Sequence, residues 1–160
     1  MNKIIVQVLA VVFSFGLVTL IPAAEETTQK SMILPIVEIH DGDTIKTDLT
    51  WRLPPPLNII EVRVLGIDTP EMPADSYRVT GKLGRAKCVK EAEMALQARD
   101  LVKKLAEGQT KMKITNFSWD KYARIDANVS IGGKDVATEL LAAGLAVPYD
   151  GGTKTHDWCL

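Results

Sequence analysis

The chain has 160 residues, 46% of them hydrophobic and 24% charged, with 19 basic against 20 acidic side chains and a formal net charge of -1. That balance excludes a protein that coats nucleic acid by bulk positive charge, so contact with a polyanion must come from a local cluster or a bound metal. Length and apolar content suit one domain built around a single core.

Met1-Asn2-Lys3 is a short positive start, Ile4 to Ile21 is almost wholly apolar, and Pro22-Ala23-Ala24 supplies small residues ahead of Glu25-Glu26. The order is that of a secretory signal over residues 1–24, cleaved near Ala24, with an uncleaved membrane anchor as the alternative for so long an apolar run. Either way the domain is expected to be exported, to the periplasm or the medium. Lys3 is the only charged residue in the leader, so 18 basic and 20 acidic side chains remain after its removal. Residues 25–32 read as a short linker, 33–149 as the domain and 150–160 as a C-terminal tail.

Ser31 to His40 alternates loosely and predicts a first strand. Asp41-Gly42-Asp43-Thr44 is a tight turn, since Asp-Gly is a strong hairpin signal, and Ile45 to Leu49 returns as a second strand. Trp51 to Asn58, with Pro54-Pro55-Pro56, reads as an extended connection into the central stretch, Arg63 to Glu71. There Val62, Val64 and Ile67 are strand formers, and the run stops at Asp68-Thr69-Pro70, where proline ends the ladder. Alternation puts Arg63, Leu65 and Ile67 on one face, whose apolar members should point inward. An arginine buried in this way needs an anion, either a carboxylate of the fold or a phosphate arriving as substrate.

After Glu71 a loop without periodicity runs through Pro73, Ser76, Gly81 and Gly84. Arg78, Lys82, Arg85, Lys87 and Lys90 form a basic cluster, read either as a solvated loop and helix start or as a polyanion contact. From Ala86 to Glu107 the spacing of Met94, Ala98, Leu101 and Leu105, with Ala95 and Val102 beside them, predicts a long helix stopped by Gly108. Lys111 to Trp119 and Ala123 to Ile131 are two further strands joined at Asp120-Lys121-Tyr122, and Lys134 to Ala143 is a short helix closed by Gly144. Cys88 and Cys159 are the only cysteines. In an exported chain they are expected to pair, tying the start of the long helix to the tail. A metal site with His156 and Asp157 lacks the paired spacing that zinc requires.

This order predicts an α+β, mainly β fold: a five-stranded OB-type Greek-key barrel with one long helix between strands 3 and 4 and a short helix after strand 5. Three motifs then occur in the order of a known family: Asp41-Gly42-Asp43-Thr44, Arg63 to Glu71, and Asp120-Lys121-Tyr122-Ala123-Arg124. Over roughly Ile33 to Tyr149 the chain resembles the staphylococcal nuclease, or thermonuclease, family. The resemblance implies calcium ligands in the carboxylates of Asp43 and Asp68 and the carbonyl of Thr69, which is a donor set suited to a hard cation. It implies a catalytic trio of Arg63, Glu71 and Arg124, with Glu71 holding the attacking water and the arginines clamping phosphate. It also implies that Lys121 and Tyr122 contact a terminal phosphate and that Tyr149 lines a nucleoside pocket. The bland alternative for Tyr149 is a tail residue packed on the barrel.

Two features depart from the family pattern. The proline-rich stretch between strands 2 and 3 is extra, and the tail ends where the staphylococcal enzyme continues into a helix, for which the Cys88–Cys159 bond would substitute. The function implied is a calcium-dependent nuclease that cuts DNA and RNA, single-stranded or denatured by preference, with low sequence specificity and leaving 3′-phosphates. It would act as a monomer, without membrane association once the leader is removed. The competing reading is a catalytically inactive OB module that binds oligonucleotides or a protein partner. The complete set of arginines and carboxylates argues against it, as does the small number of aromatic residues, nine in all, for a stacking platform.

Overall fold

A computed structural model describes residues 30–160. The leader assigned to residues 1–24 and most of the linker lie outside them. The elements are β1 (Ser31–Pro35), β2 (Glu38–Ile39), β3 (Thr44–Asp48), β4 (Ile59–Val64), β5 (Ile67–Asp68), α1 (Tyr77–Thr80), α2 (Val89–Leu105), β6 (Lys111–Trp119), β7 (Ile125–Ile131), β8 (Lys134–Asp135), α3 (Val136–Ala142) and β9 (Val147–Pro148). One sheet runs β1-β6-β7-β4-β3-β2, with β8 added to β7, and a second holds only β5 and β9. The fold is α+β and mainly β.

The five expected strands become seven segments because two of them break, and β8 and β9 are additional. The first strand breaks at Ile36-Val37, where the Val37 amide donates to the Lys46 carbonyl and the Thr47 hydroxyl to the Pro35 carbonyl, at 2.9 and 2.8 Å. These bonds bend the end of β1 toward β3, so the sheet curls on itself. The central strand breaks at Gly66, whose φ of 83° only glycine adopts freely. Beyond it Ile67 and Asp68 leave the main sheet and pair with Pro148 and Val147.

Gly66 also breaks the expected sharing of one face by Arg63 and Ile67. Val62 and Val64 enter the core, whereas Arg63 is half-buried on the opposite face. Ile67 is buried after the turn, on the far side of the kink. The arginine therefore lines a cleft and is not enclosed in hydrocarbon, as its hydration energy demands.

Along β7, Ile125, Ala127, Val129 and Ile131 point inward in strict alternation, and they meet Leu34, Ile45, Met112 and Ile114 from neighbouring strands. Helix α2 closes one opening of this core with Ala98 and Val102. Its most buried stripe is Ala92, Ala95, Leu96, Ala98 and Val102, while Met94, Leu101 and Leu105 lie at the margins. The expected stripe is thus rotated, because alanines allow the helix to approach closely. α3 starts later than expected, since Lys134 and Asp135 turn back and pair antiparallel with β7 before Asp135 caps the helix by accepting from the Thr138 amide at 2.8 Å. The proline-rich connection is a series of turns and not an extended rod.

Cys88 and Cys159, 71 positions apart in the chain, are joined by a disulfide. Trp158, buried beside it, fixes the end of the tail. No helix among the described residues is long and apolar enough to cross a membrane.

Candidate active site

Strand register delivers the three motifs to one place. Thr44 pairs with Arg63 across β3–β4, and the Val64 amide donates to the Asp43 carbonyl at 2.8 Å. β4 in turn runs parallel to β7, with Val62 opposite Ile125, so Arg124 arrives one residue before the shared ladder, near Arg63. The Tyr149 amide donates to the Gly66 carbonyl at 3.0 Å, which brings the tail over the same strand.

The result is two adjoining pockets. A small polar one of about 130 Å³ is lined by Asp41, Asp43, Thr69, Glu71, Arg85 and Lys154, among others. A wider cleft of about 880 Å³ carries Lys121, Tyr122, Asp126 and Tyr149. Arg63 and Arg124 line both. All nine residues singled out for catalysis, metal and substrate thus fall on these two pockets or, for Asp68, on a direct contact to one of them.

The turn that bears Asp43 is built to fit tightly. A Cβ on Gly42 would stand 2.8 Å from the Ala98 Cβ and 3.0 Å from the Thr69 Cγ2, so only glycine lets this turn lie against both α2 and the Asp68-Thr69 segment. Asp41 Oδ1 accepts from the Asp43 amide at 3.1 Å, and Asp43 Oδ1 accepts from the Thr44 hydroxyl at 3.0 Å. Burial pushes both carboxyls up. Asp43 reaches about 7, raised first by desolvation and then by the neighbouring Asp41, against the pull of Arg63.

Arg124 is held by Asp120. Its Nε donates to Asp120 Oδ2 and its Nη2 lies against the same oxygen, both at 2.8 Å, while Asp120 Oδ1 accepts from the amides of Tyr122 and Arg124 at 2.7 and 2.9 Å. The turn bends back through Ala123 at a φ of 60°. Covering by the fold alone would raise the Asp120 carboxyl, but the bonds from Arg124 and the Tyr122 amide outweigh this and hold it below its ordinary value. The remaining guanidinium hydrogens of Arg124 are left for a ligand. Aromatic rings frame the arginines: Arg63 lies 5.5 Å from the Tyr149 ring centroid, and Arg124 lies 5.3 Å from that of Tyr122.

Glu71 is held between two cations. Its Oε1 accepts from Lys154 Nζ at 2.8 Å, and its Oε2 lies 3.3 Å from Arg85 Nε. Burial opposes ionisation, but Lys154, Arg85 and Arg63 together hold Glu71 below the usual carboxylate range, so it is charged at neutral pH. Its backbone is fixed as well, because the fully buried Glu91 of α2 accepts from the amides of Glu71 and Lys87, at 3.3 and 2.6 Å.

Residues 61–158 match the family model for staphylococcal nuclease homologue. The chain belongs to the staphylococcal nuclease homologue family. None of the curated proteins matches this chain. The family match includes Arg63, Glu71 and Arg124 but begins after the Asp41–Thr44 turn, which the β3–β4 register nonetheless places at the site.

For a nuclease homologue the question of a metal follows. Among the described residues no group of three or more His, Cys, Asp or Glu side chains is placed to hold a metal ion. The smaller set of Asp43, Asp68 and the Thr69 carbonyl does suit a hard cation. Asp68 is buried, and its Oδ1 has no aligned hydrogen bond although Lys154 Nζ lies 2.6 Å away, so the contact is ionic and an oxygen lone pair is left over. Asp43, pushed up to about 7 by burial and by the neighbouring Asp41, carries a charge that a divalent ion held here would offset.

Four participants escape a reading of motifs: Asp41, Arg85, Glu91 and Lys154. Asp41 and Arg85 lay within segments already noted, the turn and the basic cluster. Glu91 carries no signal beyond its place on the first helical turn. Lys154 is separated from Glu71 by 83 positions, and only the disulfide five residues further on hints that its segment returns to the site.

Proposed function

We propose that the protein is a calcium-dependent nuclease that hydrolyses phosphodiester bonds of DNA and RNA with low sequence specificity and leaves 3′-phosphates. Support comes from family membership and above all from one observation: Arg63 and Arg124 each line both the acidic pocket and the wider cleft. A scissile phosphate placed at that boundary receives both guanidinium groups, while its flanking nucleosides occupy the cleft beside Tyr122 and Tyr149.

Asp43, Asp68 and the Thr69 carbonyl would hold calcium. When bound, the cation polarises the phosphoryl group and offsets its charge. Glu71, ionised and fixed through Glu91, orients the attacking water and takes its proton at a carboxylate oxygen. Arg63 and Arg124 donate to the non-bridging oxygens, whose charge grows as the fifth bond to phosphorus forms, so these bonds strengthen toward the transition state. Departure of the 5′-oxygen leaves the phosphate on the 3′ side. The contacts are made to phosphate and to aromatic faces and none reads a base edge, which accounts for low selectivity.

One observation favours the alternative of a silent binding module: Lys154 already neutralises Asp68 and Glu71. The deciding experiment follows breakdown of denatured DNA and of RNA by the purified, disulfide-intact protein, with millimolar calcium and again with a chelator. Calcium-dependent breakdown that disappears in Arg63→Ala is the expected result. Binding of oligonucleotide without breakdown, by folded protein, would leave the module reading in its place.

A further inference from the structure

The acidic pocket gathers Asp41, Asp43 and Glu71, and one cation reaches it from the C-terminal tail and touches Asp68 behind it. Lys154 Nζ lies 2.6 Å from Asp68 Oδ1 and 2.8 Å from Glu71 Oε1, so one ammonium bridges a carboxylate assigned to metal and the carboxylate assigned to water. Asp68 is 4% exposed at its side chain, and its Oδ1 has no other partner. A buried carboxylate without a counter-charge is strongly disfavoured, and a compact ammonium between two carboxylates is an effective one.

The path of the tail makes this more than a surface ion pair. Upstream, Tyr149 is fixed by its backbone N–H, which donates to the Gly66 carbonyl, and by its hydroxyl, which donates to the Gly152 carbonyl at 2.6 Å. Downstream, Trp158 is buried and Cys159 is bonded to Cys88. Between these anchors residues 150–157 are exposed, and no backbone–backbone hydrogen bond among the described residues ties them to another segment. The lysine is thus tethered within reach of the pocket at a high effective concentration, on a segment free to lift.

We propose that Lys154 is the resident cation of the acidic pocket: it holds Asp68 and Glu71 together when no divalent ion is bound, and it must leave before one can bind. The inference rests on the calcium reading above. Lys154 is a positioning residue, and the tail that carries it sets the metal concentration at which the site fills. Since its ammonium and the incoming ion claim the same Asp68 carboxylate, metal affinity is lowered by the stability of the lysine contact.

The test is direct calcium binding by calorimetry, without substrate, on the disulfide-intact protein. Lys154→Met is expected to bind calcium about tenfold more tightly than the wild type, while Lys154→Arg, which keeps the charge, stays close to it. Lys103→Met, the same charge change on the last turn of α2, should leave the affinity alone and so separates local competition from overall charge. The Cys88→Ser, Cys159→Ser double variant frees the tail and should tighten binding in the same direction; it carries the comparison if Lys154→Met does not fold. Equal or weaker binding by folded Lys154→Met, beside a measurable wild-type affinity, would overturn the proposal and leave the calcium reading standing. No binding by either protein would instead remove the calcium reading, and the proposal with it.

Discussion

Thr44 faces Arg63 across the β3–β4 ladder, and this pairing decides how the Asp-Gly-Asp turn meets the arginine strand. A slip of one residue would send Arg63 into the core and Val62 and Val64 into the cleft. The site's chemistry therefore depends on a register held by the apolar positions of β3 and β4.

Arg63→Lys is expected to lower turnover about 100- to 1000-fold while the domain still folds, because an ammonium cannot give the two parallel bonds of a guanidinium. Steady-state rates on denatured DNA, together with a circular dichroism spectrum, check this. Near-normal turnover would remove the clamp from the mechanism.

Asp43→Asn should abolish most of the calcium response without unfolding the protein. The amide replaces a carboxyl that burial and Asp41 already push up to about 7, so the folded state loses little when the charge is removed. The check is a calcium titration of activity, paired with a melting curve in chelator. An unchanged titration would place the metal elsewhere.

Asp120→Asn should slow the reaction through Arg124 and should alter acid stability in a defined direction. The Asp120 carboxyl is lowered in the fold, so its contribution is present above its unfolded value of about 3.9 and is lost as pH falls through the lower folded value. The melting temperatures of wild type and variant should therefore differ at pH 6 and converge as pH falls below the ordinary carboxylate range. A difference that persisted in acid would mean that the variant disturbs packing and not the ion pair.

Gly42→Ala should destabilise the domain by about 1 to 3 kcal/mol, the usual range for overpacking. The added Cβ meets Ala98 and Thr69 at 2.8 and 3.0 Å. Denaturant unfolding measures the loss, and since Thr69 must shift to make room, calcium dependence should weaken in parallel. A variant as stable as the wild type would show that the turn has slack.

Reduction of Cys88–Cys159 should lower the melting temperature. Closing a loop of this length contributes about 3 to 5 kcal/mol on the chain-entropy account. A scan with and without reductant, after thiol titration confirms reduction, is sufficient. An unchanged melting temperature would mean that Trp158 alone secures the tail.

Local pattern made much of this legible. Alternation located the strands from Lys111 to Trp119 and from Ala123 to Ile131, of which Ala123 and Arg124 belong to the turn, four-and-three spacing located α2, and three motifs in order pointed to the family. What local pattern could not carry was geometry created by distant partners. The kink at Gly66 puts Ile67 out of step with Arg63, and the segment beyond it becomes a strand only because Val147 and Pro148 lie alongside. The rotation of α2 reflects how closely alanines let it approach, a property of the packed pair and not of its own periodicity. Asp41 and Asp43 could be named from the turn, but their mutual crowding follows from burial that no spacing reports. Lys154 on an exposed glycine-bearing tail resembles any solvated lysine until the fold brings that tail back.

The covalent bond at the end of the tail also bears on proteolysis. Residues 150–157 form an exposed arc of the kind that proteases nick first. A cut after Lys154 would release nothing, because the peptide beyond it stays attached through Cys159 to the start of α2. The nicked molecule would keep Trp158 in place and run as one species on a gel until reduced. Its lysine, however, would then sit at a free chain end, no longer strung between two anchors.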